Sequence, residues 1–275
     1  MNKVLLTAEL GINHNGSVDI AKHLIEKCAA AGCDFVKFQK RTIDLVYTPQ
    51  ELAKPRESPW GTTTREQKLG LEFEKPQYDI IESHCAKNSI CWFASPWDAE
   101  SVKFLTQYSP RFIKVASALI TDFDLLKEIK ATGVPVILST GMSSQEEVHK
   151  TVRFLGDQLE YILACTSTYP TPVGEVNLAF IKTLKAEFPM KKIGFSNHHP
   201  GIFFAAASAA MGAEMIEFHV TLDRAMYGSD QAASIEVPGV QKLCDYVHDL
   251  DIAMGMGEWT IFESEKAVRA KLRRK

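Results

Sequence analysis

Two histidines, His198 and His219, follow or sit near the end of short apolar runs, and two lysines, Lys37 and Lys114, interrupt others. Paired imidazoles on neighbouring strands can converge on one divalent cation and leave positions open for water and a substrate oxygen. A lysine inside an apolar run needs an anion, because an unpaired buried ammonium is costly. That anion is either a bound phosphate or carboxylate, or an internal partner such as Glu9 or Glu217. Ser95, Ser117, Ser139 and Ser196 also close apolar runs, and their hydroxyls suit an anion clamp better than they suit a core. Glu9, Gln39, Ser167 and Tyr169 complete the set of strand-end polar groups. No GxSxG elbow is present, and the cysteines have no basic partner nearby in sequence, so nucleophilic catalysis is not indicated.

These residues need a frame that brings strand ends together. Eight β-rich runs alternate with amphipathic helical patterns: residues 4–10, 35–39, 90–95, 112–116, 134–140, 161–166, 193–196 and 215–220. Helical patterns occupy 17–31, 75–87, 98–107, 122–132, 144–156, 177–188, 201–211 and 237–254, with Ser17 and Ser143 or Ser144 as N-terminal caps and Gly32 as a stop. The strands are nearly continuous in apolar character, as when both faces are covered. Eight βα units in 275 residues predict a single (β/α)8 TIM barrel spanning 1–275. A doubly wound sheet is the alternative, but neither GxGxxG nor GxxxxGK[ST] occurs. The connection over 41–74 reads as long, polar and irregular, and is expected to lie over the site as a lid.

Charge adds little by way of partners: 31 basic residues against 34 acidic ones leave −3, so neither nucleic acid nor an anionic membrane is expected to bind. The six cysteines show no zinc spacing and read as reduced thiols. No signal peptide or membrane-length apolar stretch is seen, and a cytoplasmic location is expected.

The segments TAELGINHNG, DFVKFQ, WFASPWD, FIKVAS, VILSTGM, ACTSTYPTP, GFSNHHPG and IEFHVTLDRAMYGSDQAAS occur in the order found in the sialic acid synthase (nonulosonate synthase) family, which this chain resembles from about residue 8 to 236. The resemblance implies a TIM-barrel enzyme that condenses phosphoenolpyruvate with an N-acylated hexosamine aldehyde, using Mn2+ or Mg2+. It implies that Lys37, Ser95, Lys114, Ser117, Ser139 and Ser196 contact phosphoenolpyruvate, with Ser167 at a further contact position. His198 and His219 are the implied metal ligands. Glu9, Gln39, Tyr169 and Asp230 are implied to face the sugar or the reacting carbons, Glu9 and Asp230 as proton-moving groups. Two positions depart from the family pattern: Leu119 stands where KIGSGE-type members have glutamate, and Ser167 where many have asparagine. Family members usually carry an antifreeze-like C-terminal domain that reaches the partner's site in a homodimer. None is expected within these residues, so the acceptor site is expected to be completed otherwise or shaped differently. A related synthase acting on another sugar aldehyde, and a non-catalytic binding protein, remain the competing readings.

Overall fold

A computed structural model describes residues 3–274. Eight parallel strands form a closed barrel: β1 (Leu5–Gly11), β2 (Phe35–Lys40), β3 (Cys91–Pro96), β4 (Ile113–Val115), β5 (Val136–Ser139), β6 (Leu159–Cys165), β7 (Lys192–Asn197) and β8 (Met215–Thr221). Each pairs with the next in chain order, and β8 closes on β1 with Glu9 opposite His219. The TIM barrel expected from the alternation is therefore present, with each of the eight expected strands in place.

Helices return the chain outside the barrel. Val18–Ala31 begins where the Ser17 hydroxyl accepts from the Ile20 amide, and ends at Gly32 in a left-handed conformation. Asp98, Asp122 and Ser144 cap Ala99–Thr106, Phe123–Ala131 and Gln145–Leu155 in the same way. The principal core lies between these helices and the barrel wall.

A second, smaller core fills the lower barrel. Residues two apart on a strand share a face, so the inward positions stack in layers. Phe35, Phe93 and Phe112 meet edge to face, with ring centroids 5.5, 5.6 and 5.9 Å apart, and Ile137, Tyr161, Leu163 and Met215 complete this floor. Two residues further along β2, β3, β5 and β8, and along the Phe112 strand, stand Lys37, Ser95, Ser139, Glu217 and Lys114. The same period that plugs the lower barrel with hydrocarbon thus puts polar groups directly above it.

The connection over 41–74 differs from its expected irregularity. It contains helices Ile43–Val46, Pro49–Leu52 and Thr64–Leu71 and an antiparallel hairpin, Pro55–Ser58 with Gly61–Thr63. Capping boxes formed by Thr48 with Glu51 and by Thr63 with Glu66 satisfy the first turns of two of the helices. Gly16 lets this excursion dock closely on the β1 loop: a Cβ there would lie 2.0 Å from the Gly70 carbonyl oxygen. At the hairpin tip the Trp60 ring meets Tyr227, 5.7 Å between centroids, and Tyr227 donates to the Glu57 carbonyl at 3.3 Å.

Beyond the last barrel helix, Val237–Ala253, lies a further helix, Glu263–Leu272, not foreseen in the sequence. Its residues are exposed throughout. Among the described residues no helix is long and apolar enough to cross a membrane.

Candidate active site

The upper barrel holds a cavity of about 180 Å³. Its wall brings together nearly all of the residues singled out in the sequence: Glu9, Lys37, Gln39, Ser95, Lys114, Ser117, Ser139, Ser167, Tyr169, Ser196, His198 and His219. Asp230 stands apart from the wall. It lies on the loop after β8, with its Oδ2 3.6 Å from His219 Nδ1. That loop is tied to the β1 loop by Asn13, whose amide donates to Val220 O and Ser234 Oγ at 2.8 Å each.

Each lysine has the internal carboxylate that its burial demands, and a serine hydroxyl besides. Lys37 Nζ lies 2.6 Å from Glu9 Oε2 and 3.8 Å from Glu217 Oε2, and donates to Ser95 Oγ at 3.3 Å. Lys114 Nζ donates to Ser139 Oγ at 2.7 Å and lies 3.5 Å from Glu217 Oε1. The internal ion pairs are therefore real, and the hydroxyls ring the same ammonium groups. Desolvation opposes the charge on Lys37, but Glu217 and Glu9 outweigh it and raise its pKa. At Lys114 desolvation prevails over Glu217 and the pKa falls. Glu217 feels desolvation too, yet the two lysines and Ser196, which donates to it at 2.9 Å, lower it to about 2. Glu217 is thus the shared counter-ion of the clamp.

The histidines lie side by side at the ends of β7 and β8, ring centroids 5.3 Å apart. His198 Nδ1 is 2.7 Å from the Thr166 carbonyl oxygen. A carbonyl only accepts, so that nitrogen carries the proton; Nε2 is then the ring's ligating atom in the neutral form, although Cys165, the Thr166 carbonyl and Glu217 outweigh desolvation and raise the His198 pKa. His219 Nδ1 is buried without a hydrogen-bond partner among the described residues. Desolvation lowers the His219 pKa, which favours the neutral, ligating form. Two histidines fit a divalent cation, and no group of three or more acidic, cysteine or histidine ligands converges among the described residues. The remaining ligands would have to be water and substrate oxygens. Tyr169 packs over His198 at 4.1 Å and edge-on to His219 at 5.5 Å.

Besides two alanines, Ala116 and Ala118, three wall residues escaped the sequence reading. Cys165 has a histidine neighbour: its Sγ lies 3.8 Å from the protonated His198 Nδ1 and 3.7 Å from both Ser117 and Ser167 Oγ. Burial pushes this thiol up, but His198, Lys114 and Ser117 outweigh it and bring the pKa down to about 7. Trp97 and Met142 also line the cavity. Strand parity carried a signal for two of them, since Cys165 is two residues before Ser167 and Trp97 two after Ser95. Leu119, at the departing position, packs against the outer core and is not part of the wall. The expected lid does not form it either: among the described residues, none of 42–74 lines the cavity.

The chain is similar to several known proteins over most of its length. An N-acetylneuraminate-9-phosphate synthase of Drosophila melanogaster is 35% identical over 241 residues, covering 86% of this chain and 65% of that protein's length. An N,N'-diacetyllegionaminic acid synthase of Campylobacter jejuni is 36% identical over 281 residues, covering 97% of this chain and 82% of that protein. The crystal structure of an N-acetylneuraminic acid synthetase from Leptospira borgpetersenii superposes with a TM-score of 0.85 at 30% identity, over 100% of this chain and 94% of that one. Residues 24–259 match the NeuB family, and with a closed barrel, a paired-histidine mouth and these relatives, the chain belongs to it.

Proposed function

We propose that this barrel condenses phosphoenolpyruvate with the aldehyde of an N-acylated hexosamine and water, giving a nonulosonic acid and phosphate. The observation that carries the reading is the pair of buried lysines, each with a serine hydroxyl, set beside two histidines in one small cavity. Lys37 and Lys114 hold the phosphate and carboxylate of phosphoenolpyruvate, and Ser95, Ser139, Ser117 and Ser196 add hydrogen bonds. The enol carbon C3 bonds to the aldehyde carbon. Water adds at C2, and the bond from C2 to the phosphate oxygen breaks. The two protons of that water finish on the new hydroxyl and on the departing phosphate.

His198 and His219 would hold a divalent cation, Mn2+ or Mg2+, which when bound polarises a carbonyl oxygen. Glu9, freed from Lys37 when the substrate anion takes that ammonium, is placed to accept a proton at Oε2. Asp230, 3.6 Å from His219 Nδ1, places a carboxylate beside that imidazole without hydrogen-bonding to it. Leu119 supplies no carboxylate, so proton movement falls to these two acids.

Phosphate release from phosphoenolpyruvate should be measured with Mn2+ and a panel of aldoses. The panel holds an N-acyl hexosamine, its 6-phosphate and a sugar phosphate without an acyl group. Release with either N-acyl sugar is expected. Release only with the last would reassign the acceptor, an outcome that Leu119 makes worth including. Tight phosphoenolpyruvate binding with no release from any aldehyde would identify a binding protein instead.

A further inference from the structure

Arg41 is buried immediately beyond β2, its guanidinium carbon 4.2 Å from the centre of the Trp97 ring on the cavity wall. Its partners form an ordered chain. Glu72 accepts from the Arg41 amide at 3.1 Å and from Nη1 at 3.4 Å. Arg41 Nη2 donates to Gln39 Oε1. Gln39 Nε2 donates to Glu9 Oε1 at 2.8 Å, and Glu9 Oε2 faces Lys37 at 2.6 Å.

The polarity of this chain is forced. Guanidinium can only donate, so the Gln39 atom facing it must be the oxygen. The Gln39 amide nitrogen is then committed to Glu9, which can only accept as a carboxylate. Reversing the amide would set two donors against each other at Arg41 and two acceptors against each other at Glu9. Among the described residues, Arg41 is the only hydrogen-bond donor to Gln39 Oε1.

We infer that Arg41 is a positioning residue for the acceptor side of this site, holding the Gln39 amide in the orientation that pins Glu9, and that the excursion over 42–74 serves through Glu72 to hold Arg41. The excursion thereby acts on the cavity without lining it. Arg41 touches no reacting atom and acts only through Gln39. The kinetic part of this inference rests on the proposed synthase reading, and the structural part does not.

The test has two arms. In the first, the Gln39 side-chain amide is followed by NMR in protein labelled with 15N-glutamine, assigned by its loss in Gln39→Met. Arg41→Met should move that amide pair and speed its exchange, while the backbone spectrum and melting temperature stay near those of the parent. Glu72→Gln, which keeps an acceptor for Arg41 and is the gentler variant should Arg41→Met fold poorly, should move it less in the same direction. An unmoved pair in both variants overturns the inference. In the second arm, Arg41→Met should raise the acceptor KM about tenfold or more, the size of a lost charge-assisted hydrogen bond, with the phosphoenolpyruvate KM within about twofold. Arg41→Lys should not restore it, because one ammonium cannot serve Glu72 and Gln39 together. In a Gln39→Met background the Arg41 change should add nothing. Additive effects, or equal rises in both KM values, overturn the inference. A parent protein that shifts the Gln39 resonance as expected but turns over no aldehyde rejects the synthase reading and leaves the positioning intact.

Discussion

Two ammonium groups can remain in this lumen because each has a carboxylate and a hydroxyl within reach, and Glu217 serves both. Removing one lysine should therefore be read on two axes. Lys114→Met leaves Glu217 with Lys37 only, and the phosphoenolpyruvate KM should rise about tenfold or more. A normal KM with an early melt would make Lys114 a structural partner alone. At the mouth, His219→Ala should cut turnover about a hundredfold or more and also abolish Mn2+ binding seen by titration calorimetry. Undiminished calorimetric binding would remove His219 from the ligand set. His14 offers a titration away from these groups. It stacks on Phe73 at 4.0 Å, and its Nδ1 accepts from the Gly16 amide at 3.1 Å. Desolvation lowers its pKa to about 3 against an ordinary 6.5. The folded state holds it neutral while the unfolded state takes up a proton, so its stability contribution is complete above 6.5 and is lost as pH falls toward 3. His14→Asn keeps an acceptor and removes the titration. Its melting temperature should change less than the parent's on acidification from pH 7 toward 5, above the range where most carboxylates protonate. Parallel pH curves would rule this out.

Among elements, the strands were the most legible. Their apolar runs are continuous because both faces are covered, and a single polar residue at the end of such a run is conspicuous. Lys37, Lys114, His198 and His219 were found that way. Whether the lysines meet a ligand or each other's carboxylates was not legible, since that depends on barrel register: Glu9 lies opposite Lys37 and His219, and Glu217 opposite Ser196, only after closure. The excursion was misread for a related reason. Its order comes from short capping boxes and from contacts with distant loops, such as Trp60 with Tyr227, and neither leaves a periodic pattern. Because residues 55–63 stay off the cavity wall, replacing them by a short turn should leave the phosphoenolpyruvate KM within about twofold. A large rise would restore the hairpin to the role of lid.

At the scale of the whole molecule, closure depends on backbones that approach closely. A Cβ on Gly194, in β7, would lie 2.5 Å from both the Met215 carbonyl oxygen and Leu163 Cδ2. Gly194→Ala should cost about 1–3 kcal/mol, read as a lower denaturant midpoint. An unchanged midpoint would show that β7 and β8 can move apart freely. The counter-ions in the upper lumen have a further consequence, for the speed of encounter. Lys37 and Lys114 are matched by Glu9 and Glu217, so their formal charges cancel, and the chain as a whole carries −3. Before a cation binds at the histidines, these side chains then offer no net positive charge to draw an anion inward, unlike a cleft lined by one sign of charge. In metal-free protein the association rate for phosphoenolpyruvate should accordingly fall short of the electrostatically steered range and change little between low and high ionic strength, while the dissociation rate responds to the clamp. Stopped-flow binding across a salt series would register the difference, and a steep fall in association rate with added salt would mean that the carboxylates leave the lysines before the ligand arrives.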